Sequence, residues 1–379
     1  MTLAGAGEER GVAAPRGLEV DADIRRAWTL PGWAYRDAAL HELAKERIFA
    51  RSWQLATDTD RVRTPGHVLP LVVLEGCLDE PVLFTRDEHD RLHCLSNVCT
   101  HRGNLVVESE GKERTLRCRY HGRRFRLDGS FQAMPEFEQA EGFPSPKDDL
   151  PRVQMAAWGK LLFASVAPHL PLAELLAPVA ARVGWMPWDE MKLAPERSRD
   201  YLVQANWMLY CDNYLEGFHI PFVHSALADA LDYGSYRTEL FPWGSLQVGI
   251  AKDAEDCFEL PPGHPDEGQA IAAWYFWLFP NLMLNFYPWG LSINVVKPLA
   301  VDRTRVSFLT WVWRPERLGQ GAGAAIDRVE REDEEIVESV QRGVRSRLYD
   351  RGRYSPARET GVHHFHRMVA EALGPREGT

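Results

Sequence analysis

The chain has 379 residues, 45% of them hydrophobic, and a formal net charge of −10. This composition is typical of a globular protein large enough for two cores, and the acidic balance argues against nucleic acid or an anionic membrane as the main partner. No run of about 18 apolar residues occurs, so we predict no membrane span. The six cysteines lack the spacing of a disulfide framework, which fits a reducing compartment, and we expect the chain to be cytoplasmic.

The first part of the chain is predicted to change from helix to strand. Residues 1–20 contain no apolar run of signal-peptide length and are expected to form a mobile tail. Residues 21–51 have apolar residues at helical spacing on both sides of a Pro-Gly pair, which predicts helices. From 52 to 153, short runs rich in β-branched and aromatic residues alternate with turn residues, which predicts a small all-β domain. The proline-rich segment 135–151 indicates a loop and a domain boundary.

The remainder of the chain is predicted to be a second domain of mixed structure. It begins with a strand at 156–166 and a helix near 172–184. Residues 235–313 alternate as strands do and are unusually aromatic. A long helix at about 324–347 and a last amphipathic helix at 357–373 follow a glycine-rich link. Strands with a few long helices predict an α+β arrangement in which an antiparallel sheet wraps around a helix.

Two Cys-then-His pairs stand out in the small domain, Cys99-Thr-His101 and Cys118-Arg-Tyr-His121. Two thiolates and two imidazoles suit either a structural zinc ion or a two-iron two-sulfur cluster of mixed ligation. Zinc sites more often take both thiolates from one turn, whereas here each turn supplies one thiolate and one imidazole. The pattern favours the cluster, with Cys99 and Cys118 on one iron and His101 and His121 on the other. A glycine after each pair allows the backbone to approach the cluster closely.

A second stretch, from Asn206 to His224, contains another pair of potential metal ligands. His219 and His224 are five residues apart, and a regular helix would separate them by about 140°. Pro221 lies between them and breaks the helix, so that both imidazoles can turn to one point. Two imidazoles and one carboxylate leave open positions on ferrous iron for dioxygen and substrate.

The third ligand is expected to be a carboxylate of the long helix. Periodicity alone does not separate Glu330, Asp333 and Glu334, and most acidic residues of this helix are expected to form a solvated face. The acidic candidates are Glu330, Glu332, Asp333, Glu334, Glu335 and Glu338.

Together the two motifs resemble the oxygenase (α) component of Rieske non-haem iron oxygenases, over about residues 30–370. In that family an Asp eight residues before a Gln-x-Gly segment completes the iron site, and Gln341-Arg-Gly343 puts this position on Asp333. The resemblance implies a small all-β Rieske cluster domain inserted into a helix-grip catalytic domain. The implied parts are a mobile tail at 1–20, an N-terminal helical part of the catalytic domain at 21–51, the Rieske domain at 52–153 and the catalytic iron domain at 154–379.

The resemblance also implies a route for electrons between the two sites. The family usually has an Asp three residues before the first iron histidine, and members that act on carnitine-like compounds have a Glu there, as Glu216 here. The implied path runs from His121 through Glu216 to His219 and the iron, and because it crosses subunits it implies a homotrimer. One departure is Arg123-Arg124, where many relatives have a Trp; this change affects either the reductase-facing surface or the cluster potential.

The function implied by the resemblance is that of a terminal oxygenase. The chain has no G-x-G-x-x-G fingerprint, so NAD(P)H would be oxidised by a partner reductase or ferredoxin that passes single electrons to the cluster. A mononuclear Fe(II) would then use dioxygen to hydroxylate or demethylate a small organic substrate. Monooxygenation is favoured over cis-dihydroxylation by the likeness to the members that oxidise quaternary amines. The competing interpretation is a Rieske electron carrier without oxygenase activity.

Several further residues are chemically conspicuous. Asp212 and Asn213 are candidates for a place near the iron, although they are also common capping residues. Three histidines near the C-terminus, at 363, 364 and 366, are expected to be structural. Alternation along the strands predicts that some of a group of aromatic residues line a pocket, where aromatic faces suit a quaternary ammonium ion or an apolar ring. This group comprises Trp274, Tyr275, Phe276, Trp277, Phe279, Phe286, Tyr287 and Trp289.

Overall fold

The computed structural model describes residues 17–252 and 257–375. Among these residues, no helix combines the length and the apolar character needed to cross a membrane. The α-helices of the described ranges are α1 (Ala38–Arg47), α2 (Leu172–Val183), α3 (Trp207–Tyr214), α4 (Ile220–Val223), α5 (Ser225–Ala230), α6 (Ile326–Gly343) and α7 (Thr360–Leu373).

The strands of the described ranges form four sheets. They are β1 (Gln54–Asp58), β2 (His67–Val73), β3 (Glu80–Arg86), β4 (Leu92–Ser96), β5 (Gly111–Lys112), β6 (Leu116–Arg117), β7 (Arg124–Phe125), β8 (Phe131–Ala133), β9 (Gln154–Trp158), β10 (Leu161–Ser165), β11 (Lys192–Leu193), β12 (Arg199–Val203), β13 (Arg237–Phe241), β14 (Gly244–Ile250), β15 (Ile271–Leu278), β16 (Leu282–Tyr287), β17 (Gly290–Ala300) and β18 (Arg303–Val312).

The N-terminal region differs from the prediction in two places. Residues 21–36 contain no α-helix, because the carboxylates of Asp21 and Asp23 accept hydrogen bonds from backbone N–H groups two residues ahead and favour turns instead. The prediction of helices is therefore wrong there and holds only for α1. Residues 17–20 were assigned to the tail, yet Leu18 is buried in the core. The rest of the predicted tail, 1–16, lies outside the described residues.

Short strands form the first β-rich part, as predicted. β4, β3, β2 and β5 make one sheet, and β6, β7 and β8 make a second. Their shared core buries Cys99 and Cys118 among apolar residues of both sheets, including Leu83, Leu116 and Phe125. The strand predicted at 156–166 is instead a hairpin of β9 and β10, and β10 pairs with β1 rather than with the large sheet.

The large sheet is antiparallel and has eight strands in the order β11-β18-β17-β16-β15-β14-β13, with β12 also paired to β18. Its register aligns polar side chains across four neighbouring strands: Gln247 faces Tyr275, which faces Asn285, which faces Ser292. Because side chains alternate along a strand, the next residues, such as Phe276 and Leu284, point to the opposite face and enter a second apolar core. The sheet therefore presents this polar row on the face opposite to that apolar core.

Helices α3 and α6 pack together, and α3 forms the first part of the second motif. The side chain of Asn206 caps α3 by accepting a hydrogen bond from the N–H of Met208, and the N–H of Asn206 donates to Gln341 of α6 at 2.7 Å. α7 packs behind α3, where Phe365 contacts Trp207. α6 ends at Gly343, four residues before the predicted end. This pairing fixes the distance between the two histidines of the motif and the acidic face of α6.

Candidate functional site

The first group of functional side chains lies where α3, α4, α5 and α6 meet. The chain leaves helical geometry between α3 and α4, and again at His224, whose φ of −109° and ψ of 79° separate α4 from α5. Pro221 occupies the first turn of α4 instead of interrupting it, so the second break at His224 supplies the bend that the sequence pattern attributed to the proline. His219 and His224 consequently stand at the two ends of one helical turn.

These bends bring two imidazoles and one carboxylate to a single point. Nε2 of His219 lies 3.1 Å from Nε2 of His224, and Oδ1 of Asp333 lies 2.9 Å from His224 Nε2 and 3.4 Å from His219 Nε2. One ligand atom from each residue fits within 4.8 Å of the others. The donor set and spacing fit a single metal ion bound by two histidines and one carboxylate.

Both imidazoles are oriented by carboxylates on their far side. Nδ1 of His219 donates to Oε1 of Glu216 at 2.6 Å, and Nδ1 of His224 donates to Oε2 of Glu332 at 2.8 Å. Each ring therefore presents Nε2 to Asp333, which is the tautomer that a metal requires. Glu216 is itself fixed, because its second oxygen accepts the backbone N–H of His219 at 3.1 Å.

Hydrogen bonds within this group shift the pKa values of its members. Burial alone would lower the pKa of His219, but hydrogen bonds to Asp333 and Glu216 raise it to about 9. Burial would raise the pKa of Asp333, and its contacts with His219 and His224 hold that pKa below its usual value. Since metal ligands must give up their protons, a bound divalent ion would replace the imidazolium proton of His219.

The structure separates the acidic candidates of α6. Asp333 joins the two histidines, whereas Glu330 turns to the hydroxyl of Tyr210 at 2.7 Å. Glu332 supports His224 from behind, a role that the sequence reasoning did not assign, because nothing in helical periodicity reveals a partner on another helix. Glu335 is exposed.

The two remaining predicted residues, Asn213 and Asp212, lie in different places relative to this group. Asn213 donates its side-chain N–H to Oδ1 of Asp333 at 2.6 Å and so holds the carboxylate in place. Asp212 does not join this group. Its carboxylate accepts hydrogen bonds from Tyr35 and His366 in a buried network behind α3.

The three C-terminal histidines contact other parts of the protein. Nε2 of His363 hydrogen-bonds the carbonyl of Asp21, and Nε2 of His364 hydrogen-bonds the carbonyl of Phe241. His366 joins Asp212 in the network described above. These contacts agree with the structural role predicted for them.

A cavity of about 100 Å³ opens beside the two imidazoles and Asp333. The polar row of the large sheet forms one wall, and Tyr275 and Tyr287 are the members of the predicted aromatic group that line it. Three buried polar atoms of the lining have no hydrogen-bond partner among the described residues: Oε1 of Gln247, Oγ of Ser292 and Oε1 of Glu330. Groups of this kind fit a ligand with a polar or charged part.

The second group of candidate ligands lies in the small β-rich part. Its two loops repeat one geometry: the N–H of Gly103 donates to the carbonyl of Cys99, and the N–H of Gly122 donates to the carbonyl of Cys118, each at 3.0 Å. Both glycines have positive φ, 70° and 76°, which other residues adopt with difficulty. The rings of His101 and His121 meet with centroids 4.7 Å apart.

The chemistry of these four side chains fits an iron–sulfur cluster. Cys99 and Cys118 are buried, and burial raises the pKa of the Cys99 thiol, so a thiolate there needs a cation for stability. Nδ1 of His101 is buried without a hydrogen-bond partner among the described residues. Burial, followed by the nearby His121, lowers the pKa of His101, so its imidazole is neutral and suited to metal binding.

Comparison with known proteins identifies both parts. Residues 52–145 match the Rieske [2Fe-2S] domain, and residues 190–375 match the ring hydroxylating alpha subunit (catalytic domain). The chain is 29% identical over 371 residues to a chloroplastic choline monooxygenase of Arabidopsis thaliana, covering 92% of this chain and 84% of that protein. It is also 29% identical over 368 residues to a carnitine monooxygenase oxygenase subunit of Escherichia coli (strain K12), covering 93% and 96%.

Solved structures confirm the predicted α+β fold. A quaternary ammonium Rieske monooxygenase, described in connection with carnitine oxidation and inter-subunit electron transfer, superposes with a TM-score of 0.77 at 25% identity, covering 95% of this chain and 100% of that one. A naphthalene 1,2-dioxygenase from Rhodococcus sp. superposes with a TM-score of 0.69 at 18% identity, covering 91% and 93%. The second likeness concerns the fold alone.

The geometry predicts how single substitutions change metal binding. Asp333→Asn removes the charge that both imidazoles face, and we expect Fe(II) to be lost on gel filtration. Glu332→Gln leaves all three ligand atoms but loosens His224, and we expect Fe(II) affinity to fall about 10- to 100-fold. Anaerobic Fe(II) titration measures both effects. The exposed Glu335→Gln on the same helix serves as control, and Fe(II) binding by Asp333→Asn equal to that of this control would contradict the assignment.

Metal binding is also expected to depend on pH. Because the pKa of His219 is about 9, its imidazole is protonated at neutral pH and must release the proton when a metal binds. Fe(II) affinity should therefore rise with pH below about 9, by about tenfold per unit for each proton released. Titrations at several pH values with the cluster intact measure this slope. A flat profile between about pH 6 and 8 would disagree with the geometry.

Proposed function

On the premise that the chain belongs to the family of Rieske-type oxygenase α subunits, we propose that it oxidises a small alkylammonium cation. Membership establishes the broader activity: the chain is a terminal oxygenase of the monooxygenase type that receives electrons from a partner and uses dioxygen. The resemblance predicted from the two motifs is confirmed. The electron-carrier interpretation is not favoured, because a carrier has no need of a catalytic domain.

We assign the two metal centres to the two groups of side chains. Cys99, His101, Cys118 and His121 would hold the two-iron two-sulfur cluster, and His219, His224 and Asp333 would hold Fe(II). When bound, the cluster supplies single electrons and the iron supplies the means to activate dioxygen beside the substrate. The chain's own contribution is to fix both imidazoles through Glu216 and Glu332 and the carboxylate through Asn213.

The observation that carries the substrate proposal is the buried carboxyl group of Glu330 in the cavity wall. One oxygen accepts the Tyr210 hydroxyl, and the other is buried without a partner among the described residues. Burial and the neighbouring Asp333 raise the pKa of Glu330 well above its usual range, which favours the neutral acid. A bound ammonium group would restore the carboxylate by pairing with it.

The rest of the cavity suits such a cation. Five tyrosines line it, and their ring faces attract a methylated ammonium group that cannot donate hydrogen bonds. The unpartnered atoms of Gln247 and Ser292 fit a hydroxyl or another polar group on the same molecule. An aromatic hydrocarbon would leave these polar atoms unsatisfied, at a cost of about 1–3 kcal/mol each. The choline and carnitine monooxygenases among the relatives are named for quaternary ammonium compounds of this kind.

We further propose that the electron crosses between subunits of a homotrimer. Glu216 touches His219, and the neighbouring Phe218 and Phe222 are 41% and 80% exposed, an apolar surface that favours contact with another chain. At the cluster, the ring of Tyr120 lies over His121 at 3.7 Å and is 57% exposed. Contact between these two surfaces of neighbouring copies would place His121 next to Glu216. The reductase, its NAD(P)H and the cytoplasmic location stay predictions.

The substrate proposal is tested by pairs of ligands that differ only in charge. Wild-type protein should use choline or carnitine with a KM about 10- to 100-fold below that of the neutral analogue in which carbon replaces the ammonium nitrogen. Glu330→Gln should remove most of this preference, whereas the exposed Glu335→Gln should retain it. The carboxyl group of Glu330 should ionise when the cation binds, so calorimetry should detect the release of a proton. For the same reason, the affinity for the cation should increase as pH rises.

Equal use of charged and neutral ligands by the wild-type protein would contradict the cationic substrate. A preference retained in Glu330→Gln would place the recognition of charge elsewhere in the cavity.

The electron path is tested at Glu216. Glu216→Gln keeps the shape of the side chain but removes the charge that links His219 to the neighbouring cluster, and we expect product formed per electron to fall at least about tenfold. Cluster reduction by dithionite should remain normal. The exposed Asp229→Asn on α5 controls for a general loss of surface charge. Unchanged coupled turnover in Glu216→Gln would rule out this path.

A further inference from the structure

An arginine lies inside the small β-rich part, next to the second ligand loop. The side chain of Arg123 is 2% exposed, and its guanidinium lies over the rings of Phe125, Phe131 and Phe143 at 5.7, 5.1 and 5.4 Å. Burying a charged group is unfavourable unless it is paired, and Nε of this guanidinium has no partner among the described residues. At Arg123 the departure from the family pattern therefore lies inside the protein, whereas Arg124 is exposed.

The partner of the guanidinium is Asp148, which also connects the two ligand loops. Nη2 of Arg123 donates to Oδ1 of Asp148 at 2.7 Å and to its carbonyl at 3.1 Å. The same carbonyl accepts the hydroxyl of Thr100, which stands between Cys99 and His101, at 2.8 Å. The backbone carbonyl of Arg123 accepts the N–H of Cys118 at 2.9 Å. One residue pair thus contacts both turns that carry the cluster ligands.

The two charges of the pair do not cancel at the cluster. The side chain of Asp148 is 20% exposed and that of Arg123 only 2%, so water screens the carboxylate more than the guanidinium. Reduction adds one negative charge to the cluster, and a nearby buried cation stabilises that charge more strongly than an exposed one. The pair therefore acts on the cluster as a net positive charge.

We propose that Arg123 is a positioning residue that raises the reduction potential of the cluster, and that Asp148 partly offsets it. The inference rests on the assignment of the cluster to Cys99, His101, Cys118 and His121 made above. It extends that assignment by naming the residue pair that sets how readily the cluster accepts an electron from its partner.

The experiment is a redox titration of the purified full-length protein, followed by visible absorption and electron paramagnetic resonance. Arg123→Met should lower the equilibrium constant for reduction by about tenfold, which is 59 mV for a one-electron couple. Asp148→Asn should raise this equilibrium constant, and the value for the double variant should lie between those of the two single variants. Arg123→Lys should keep most of the wild-type value. The exposed neighbour Arg124→Met serves as control for the loss of a surface charge.

Opposite signs for the two single variants are the signature of an electrostatic effect, since loosening of the loops would act in one direction. The inference would be overturned if Arg123→Met kept an intact cluster and had the same reduction potential as Arg124→Met. If Arg123→Met loses its cluster, the variants Asp148→Asn and Arg123→Lys test the inference instead. A reduction potential of Asp148→Asn no higher than that of the wild-type protein would then overturn the inference. Absence of a cluster from the wild-type protein would instead contradict the cofactor assignment.

Discussion

The contact of one carboxylate with two imidazoles is the constraint on which the catalytic half of this structure depends. Asp333 reaches His219 and His224 only because α6 is held against α3 by hydrogen bonds at both ends of their contact. The bend at His224 then turns the second imidazole back towards the first. Each ring needs a carboxylate behind it to present the correct nitrogen, and α6 and the connection between α3 and α4 supply those carboxylates. The same packing places Glu330 in the cavity wall, so the candidate metal ligand Asp333 and the wall of the proposed substrate cavity share one helix.

The small β-rich part has to hold two thiolates and two imidazoles in a mostly apolar environment. Repeated turns with left-handed glycines aim the ligands, and the core around Cys99 and Cys118 excludes water. In such a place one buried cation has a large effect on the energy of an added electron. The exposed aromatic residues beside Glu216 and His121 support the proposal that one chain's cluster would serve another chain's iron.

Local spacing in the sequence was sufficient to predict the cysteine and histidine candidates that the structure brings together. Cys99 to His121 and His219 to His224 are close in the chain, so their chemistry is visible without a fold. Asp333 required the family resemblance, because periodicity allowed Glu330 and Glu334 equally. Residues whose roles depend on long-range packing could not be predicted from the sequence. Glu332, for example, faces His224 only where α6 and α4 meet. The polar row from Gln247 to Ser292 exists only in the strand register. The false helix at 21–36 arose because apolar spacing there competes with turns formed by aspartate side chains.

The central claim is that one chain carries both a two-iron two-sulfur cluster and a separate mononuclear iron. It is tested most directly by counting iron and acid-labile sulfide in the iron-replete protein, together with the visible spectrum. We predict a brown protein in which iron exceeds sulfide by one atom per chain, because the cluster contains the two elements in equal numbers. Equal amounts of iron and sulfide under these conditions would mean that His219, His224 and Asp333 hold no iron, and would contradict the account.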